Sequence, residues 1–236
     1  MYAAFRPKSP SELFTYLASL VSHKDLAWDV GTGSGQAAIE LAPHFTKVVA
    51  TDASAEQIRH AVSHPKVIYR IEPAEKSSFG VGTVNLVTAA QAVHWFNFEK
   101  FYAEVQRVSA SDAVIAVWTY ELSVIAPDVD RLVRRYYEVD VGRFWPPERQ
   151  WVSAHYTTIP FPFREIKAPA FEMIAKRNFT EWCGYLYTWS ATQKAISEVG
   201  PEVFDNFVTE LGKLWGDPKS QRAIKWPLYL RVGHVY

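Results

Sequence analysis

Apolar positions along this chain fall into two spacings. Short, nearly continuous apolar runs occur at 25–30, 47–52, 67–71, 84–90 and 113–118. Runs of that length, apolar throughout, suit strands covered on both faces of a parallel sheet. Between them the apolar residues recur at helical spacing. Leu13, Phe14, Leu17, Leu20 and Val21 mark one helix, with Ser9 as its N-cap and Pro10 at its first helical position. Ala37, Ala38, Ile39 and Leu41 mark a second over 34–43. Ser54 caps a third over 55–62, and a fourth runs 98–108. Strand alternating with helix predicts an α/β fold with a doubly wound, mostly parallel sheet.

After residue 120 the alternation breaks. Pro127 opens a helix over about 128–141 containing Arg131, Arg134 and Arg135, and Phe144-Trp145-Pro146-Pro147 follows. This reads as a cap. Phe163 to Ala168 forms a sixth strand, and Asn178 or Thr180 caps a helix to about Trp189. Pro201 opens another helix to Trp215, which Gly216-Asp217-Pro218 breaks. Ile224 to Val235 is a last strand, antiparallel to its neighbours, completing a seven-stranded sheet. The expected organisation is a single domain over 1–236. It comprises an N-terminal lid and helix (1–22), a ligand-binding half (23–119) and a second half (120–236) with a helical cap at about 121–160 and 178–216.

Composition narrows the classes of partner. Lys+Arg and Asp+Glu both number 25, and no basic tail stands out, which argues against nucleic acid and anionic membrane. A single cysteine, Cys183, excludes an intrachain disulfide framework and fits a reducing compartment. With no long apolar run or leader pattern, the expected location is cytoplasmic, as monomer or homodimer. His60 and His64 are four apart, but Pro65 ends their helix and no third ligand is near, so no metal site is expected.

The chemistry concentrates where the first strand ends, at Asp29-Val30-Gly31-Thr32-Gly33-Ser34-Gly35-Gln36. Glycine every second residue suits a tight turn that lets a ligand approach the backbone, and the following helix presents free N–H groups. The spacing departs from the G-x-G-x-x-G of dinucleotide binders, and Asp29 precedes it. A pyrophosphate is repelled by such a carboxylate, whereas a ligand with a cationic amino-acid end and a sulfonium is attracted by it. Asp52, closing the second strand, is placed to accept both hydroxyls of an adenosine ribose. The fourth strand ends in Gln91-Ala92-Val93-His94-Trp95-Phe96, beyond a carboxyl edge where ligands bind in open α/β sheets.

Residues 29–36, Asp52 and 91–96 together resemble the class I S-adenosylmethionine-dependent methyltransferases. Within them the chain is similar to the methyltransferase type 11 group that includes trans-aconitate methyltransferase-like proteins, from Phe5-Arg6-Pro7 to the C-terminus. The resemblance implies a Rossmann-like fold with a helical cap, and S-adenosyl-L-methionine as cofactor, leaving as S-adenosyl-L-homocysteine. It implies cofactor contacts from Asp29, Gly31, Thr32, Gly33, Gly35, Gln36, Asp52, Ala53, Ala74, Glu75 and Gln91. It places His94 and Trp95 at the transferred methyl, with Tyr2, Arg6, Trp118 and Trp145 also lining the acceptor site. Two departures stand out: Asn85 where relatives often carry Asp, and 109–112 without the usual Gly-Gly turn.

The expected reaction is methyl transfer to a small molecule, with a carboxylic acid as the acceptor that the resemblance implies. A carboxylate is already ionised and needs an arginine clamp, whereas a phenol, alcohol or ammonium needs a base, for which His94 is best placed. Methylation at nitrogen or carbon, another enzymatic use of the cofactor site, and a binding or regulatory protein with a decayed site are the competing readings.

Overall fold

The apolar runs form five parallel strands: β1 (Leu26–Val30), β2 (Lys47–Asp52), β3 (Val67–Ile71), β4 (Val84–Ala90) and β5 (Ser109–Thr119). Three more complete the sheet: β6 (Arg164–Ile166), β7 (Phe171–Arg177) and β8 (Arg222–His234). The order is β3-β2-β1-β4-β5-β8-β6, seven strands along one path, with β7 attached to β8 as an eighth. Both β5 and β6 run antiparallel to β8. This computed structural model describes residues 7–235.

Contacts divide the chain into two units. The first, 9–120 with 151–171 and 228–235, holds β1 to β6, the C-terminal half of β8 and helices α1 (Ser11–Ser19), α2 (Gln36–Leu41), α3 (Ala55–Arg59) and α4 (Phe98–Val108). Its core is β1, β4 and β5 against α4: Trp28, Val87, Phe101, Val105, Ile115 and Val117 are all fully buried. The second, chiefly 121–150 and 172–227, is mostly helical: α5 (Pro127–Arg135), then, after α6 (Arg149–Ser153) at the boundary, α7 (Phe179–Tyr187), α8 (Ser190–Val199) and α9 (Glu202–Trp215). Its interior is aromatic, with Tyr136 stacked on Phe207 at 4.0 Å and Trp182 on Tyr185 at 5.0 Å. Among the described residues no helix is long and apolar enough to cross a membrane.

Several expectations need correction. Pro10 is itself the N-cap of α1, and Ser9 instead accepts the indole N–H of Trp118 at 3.3 Å. The second helix is shorter than 34–43, because Gly35 in the left-handed region sets its start at Gln36. The third ends at Arg59 rather than 62. No turn separates α4 from β5: the chain leaves the helix at Val108 and pairs at once, Ser109 opposite Val84, with a register shift before Leu86. That direct entry explains why glycine is dispensable at 109–112. The helix opened by Pro127 stays α-helical only to Arg135 and widens to a π-helical turn over Tyr136–Asp140. The capping box of Asn178 and Glu181 starts α7, and the separate helix α8 was not foreseen. β7 was not foreseen. Asn85 has a structural use: its side-chain oxygen accepts the Leu26 N–H at 3.1 Å, fixing the start of β1.

Candidate functional site

β1 and β4 are neighbours at the point where the strand order reverses, so the loops leaving their carboxyl ends meet over the crevice where doubly wound sheets bind ligands. The first loop is the glycine run. Gly31, Gly33 and Gly35 all have positive φ, of 65°, 57° and 84°. A Cβ on Gly31 would lie 2.5 Å from Ala92 Cβ and 3.0 Å from Phe96 Cζ. The missing side chain is therefore what lets the 91–96 segment pack against the glycine loop. A Cβ on Gly35 would collide with the Tyr69 hydroxyl and ring. Gly33 has room, with Gln57 Oε1 at 3.7 Å as its nearest contact.

Two carboxylates organise the loop. Asp29 is 1% exposed and accepts the hydroxyls of Thr32 at 2.5 Å and Thr88 at 2.8 Å. Burial pushes its carboxyl up to about 6, against the lowering effect of those hydrogen bonds. Asp52 is half-buried at the end of β2, where its two oxygens accept the N–H groups of Gly33 and Ser54, each at 2.8 Å. Each oxygen retains a lone pair, so the carboxylate has capacity for two further donors. The Thr32 N–H donates to Thr51 O at 2.9 Å, tying the loop to the end of β2. Gln36 and Ala53 flank the two loops and are exposed.

The second loop begins at Gln91, which holds a positive φ of 53°. Its amide donates to Tyr120 O at 3.0 Å and accepts the Thr119 hydroxyl, so both ends of the side chain are fixed to β5 and its exit. A 3₁₀ turn over Val93–Trp95 follows. His94 is 7% exposed, and its Nδ1 lies 2.6 Å from the Tyr156 hydroxyl. The adjacent Trp95 is 58% exposed, its ring 4.9 Å from the imidazole. Ala74 is buried, and Glu75 accepts the N–H of Asn97, the N-cap of α4, at 2.8 Å. Glu75 thus braces the exit of the 91–96 segment.

The structure brings together Asp29, the glycine loop, Asp52 and residues 91–96 in one unit. Trp118 lies in the same unit but is 1% exposed, edge-on to Phe14, and is a core residue there. Trp145 belongs to the helical unit, where its indole N–H donates to Tyr137 O at 3.1 Å. Tyr2 and Arg6 lie outside the described residues. Sequence reasoning missed Thr88 and Tyr156. Thr88 is a polar residue inside an apolar strand that is buried on both faces, a signal that it serves a neighbour. Tyr156 is 62 residues from His94, and nothing local marks it. Among the described residues no group of three or more His, Cys, Asp or Glu is placed to hold a metal ion.

Comparison with known proteins supplies the family. A methyltransferase-domain family model matches residues 28–117, which run from β1 into β5. A Dictyostelium discoideum protein named as a methyltransferase is 32% identical, covering 97% of this chain and 90% of its own length. A Saccharomyces cerevisiae protein named as an S-adenosylmethionine-dependent methyltransferase is 29% identical over 129 positions, half of this chain and 44% of the yeast protein. A solved structure from Anaeromyxobacter dehalogenans, described as a type II methyltransferase, is 39% identical, covers 98% of both chains and superposes with a TM-score of 0.92.

Proposed function

We propose, for a chain that belongs to the class I S-adenosylmethionine-dependent methyltransferases, that the acceptor is a small molecule methylated on oxygen, and that it is a small carboxylic acid. One observation carries the reading: the Ala92–Phe96 segment packs against Gly31, which sets His94 and Trp95 beside the cofactor loop.

The residues fit the cofactor. The free acceptor capacity of Asp52 suits the ribose diol, and the buried charge of Asp29 favours a cationic amino-acid end. Gly33 leaves space for close approach of a ligand to the backbone. S-adenosylmethionine supplies, when bound, a methyl group already activated by its sulfonium. The chain's part is then to hold the acceptor in line and exclude water, which is catalysis by proximity and orientation. Trp95 offers an exposed face for an organic acceptor, with the His94 ring beside it. The likeness to trans-aconitate methyltransferase-like proteins, noted from residues 29–36, 52 and 91–96, supports the carboxylic acid class.

The test is a product analysis. The protein is incubated with S-adenosylmethionine and a panel of small carboxylic acids, phenols and amines. The expected product is a methyl ester of a carboxylic acid, cleaved by mild alkali. Methylated products that resist alkali, with none from carboxylic acids, would overturn the acceptor class.

A further inference from the structure

Glycine loses more conformational freedom on ordering than any other residue. A loop with glycine at three of five positions, 31, 33 and 35, is therefore preformed only where its surroundings hold it. The three meet different neighbours. Gly31 is covered by Ala92 and Phe96, and Gly33 lies open. Gly35 is covered by Tyr69: a Cβ there would collide with the phenolic oxygen and lie 2.8 Å from Cε1 and Cζ. The tip of the phenol thus fills the space in which another residue would carry its side chain. Gly35 is the N-cap of α2, so the contact falls where loop becomes helix. Tyr69 reaches it from β3, the edge strand next to β2, within the sheet unit.

The same hydroxyl donates to Val62 O at 2.8 Å, and the Val62 N–H donates to Ser34 O at 3.4 Å. Val62 lies in the connection between α3 and β3, and its side chain is 60% exposed. An apolar side chain left in water gains little from burial, so it is the backbone of Val62 that ties this stretch to the glycine loop. Tyr69 closes the circuit, with its ring tip on Gly35 and its hydroxyl on the residue that bonds Ser34. Burial first, and the charge of Asp29 second, raise the phenol from its ordinary value of 10.0, which keeps the hydroxyl a donor at neutral pH.

We infer that Tyr69 is a positioning residue of the cofactor site, holding Ser34 and Gly35 in the conformation that the cofactor meets. This rests on the cofactor reading above and deepens it. The hold passes along the loop. The Gly35 N–H donates to Thr32 O at 3.0 Å, and the Gly33 N–H donates to the Asp52 carboxylate at 2.8 Å. A shift at Gly35 therefore moves the donor that orients the acid assigned to the ribose. Tyr69 is half-buried, so water replaces its hydroxyl bond at little cost to the fold as a whole. The cost of losing that bond falls on the loop.

The test compares the full-length wild type with Tyr69→Phe, which keeps the ring and removes the hydroxyl. Affinity for S-adenosylhomocysteine is read by titration calorimetry, and backbone amide exchange by NMR. Tyr69→Phe should keep a thermal midpoint close to the wild type and raise the dissociation constant roughly fivefold, the loss of one neutral hydrogen bond. Exchange should quicken at the Gly35 and Val62 amides and stay slow along β1, and saturating S-adenosylhomocysteine should restore protection at Gly35. A second comparison isolates the ring contact. Gly35→Ala meets the phenol and Tyr69→Ala removes it, so the double variant should lose less affinity than the two single losses combined. Wild-type affinity and wild-type Gly35 exchange in Tyr69→Phe would overturn the inference and leave the cofactor site standing, as would exchange quickened equally along β1, or fully additive losses in the double variant. A wild type that does not bind S-adenosylhomocysteine would overturn the cofactor site itself, and this inference with it.

Discussion

Thr88 donates its hydroxyl to Asp29 at 2.8 Å, from β4 to β1, inside a mostly apolar sheet. With Thr32 from the loop, it makes a buried carboxylate tolerable between two strands.

The titration of Asp29 follows. Its carboxyl is raised to about 6 by burial, above the range of an unfolded aspartate near 4. The folded state therefore binds the proton more tightly, and the destabilisation from the buried charge grows as pH rises from about 4 to about 6, then stays constant. Asp29→Asn has no such charge. Its stability relative to the wild type should increase across that window by up to about 3 kcal/mol, read by denaturant unfolding at each pH. A ligand ammonium reverses the preference, so wild-type affinity for S-adenosylhomocysteine should tighten up to about pH 6, and that of Asp29→Asn should not.

The three glycines should separate by substitution. Gly33→Ala meets open space and carries only the left-handed backbone cost, about 1–2 kcal/mol. Gly31→Ala and Gly35→Ala add collisions with Ala92 and Tyr69 and should destabilise more. Urea midpoints of the three variants check the ranking.

Glu104 anchors the loop that carries Ala74 and Glu75. It accepts the Ser77 N–H at 2.7 Å and the Arg107 guanidinium at 2.6 Å, and these bonds, Arg107 foremost, lower its carboxyl to about 2. A depressed acid stabilises the fold above its usual range near 4 and loses that contribution as pH falls towards 2. Glu104→Gln should cost about 1.5–3 kcal/mol at pH 7, with the deficit shrinking on acidification.

Cys183 is partly buried, and burial raises its thiol to about 12. The thiolate is the reactive form. Native protein at neutral pH should therefore resist iodoacetamide, and modification should rise only through the urea transition.

What the sequence made legible was local. The strand-turn-helix at 26–41 declares itself by an apolar run, three glycines and a resumed helical period, all within one supersecondary unit. Asp52 is legible because it ends the next strand, and Pro127 and Asn178 because caps act on their own helices. What escaped depends on distant segments. The direct passage from Val108 into β5 is made possible by the pairing of Ser109 with Val84. Tyr156 reaches His94 only because residues 151–171 return to the sheet unit. Its positive φ of 59° is invisible to any rule about tyrosine.

The proposed cofactor site lies where the β1 and β4 loops meet. The most direct measurement is the thermal midpoint of the protein alone, with S-adenosylhomocysteine, and with NAD. At 100 times its dissociation constant a ligand stabilises by about 2.7 kcal/mol, roughly a few degrees for a chain of this size. That rise is expected with S-adenosylhomocysteine, its loss in Asp52→Asn, and none with NAD. A midpoint unmoved by saturating S-adenosylhomocysteine, or moved equally by NAD, would contradict it.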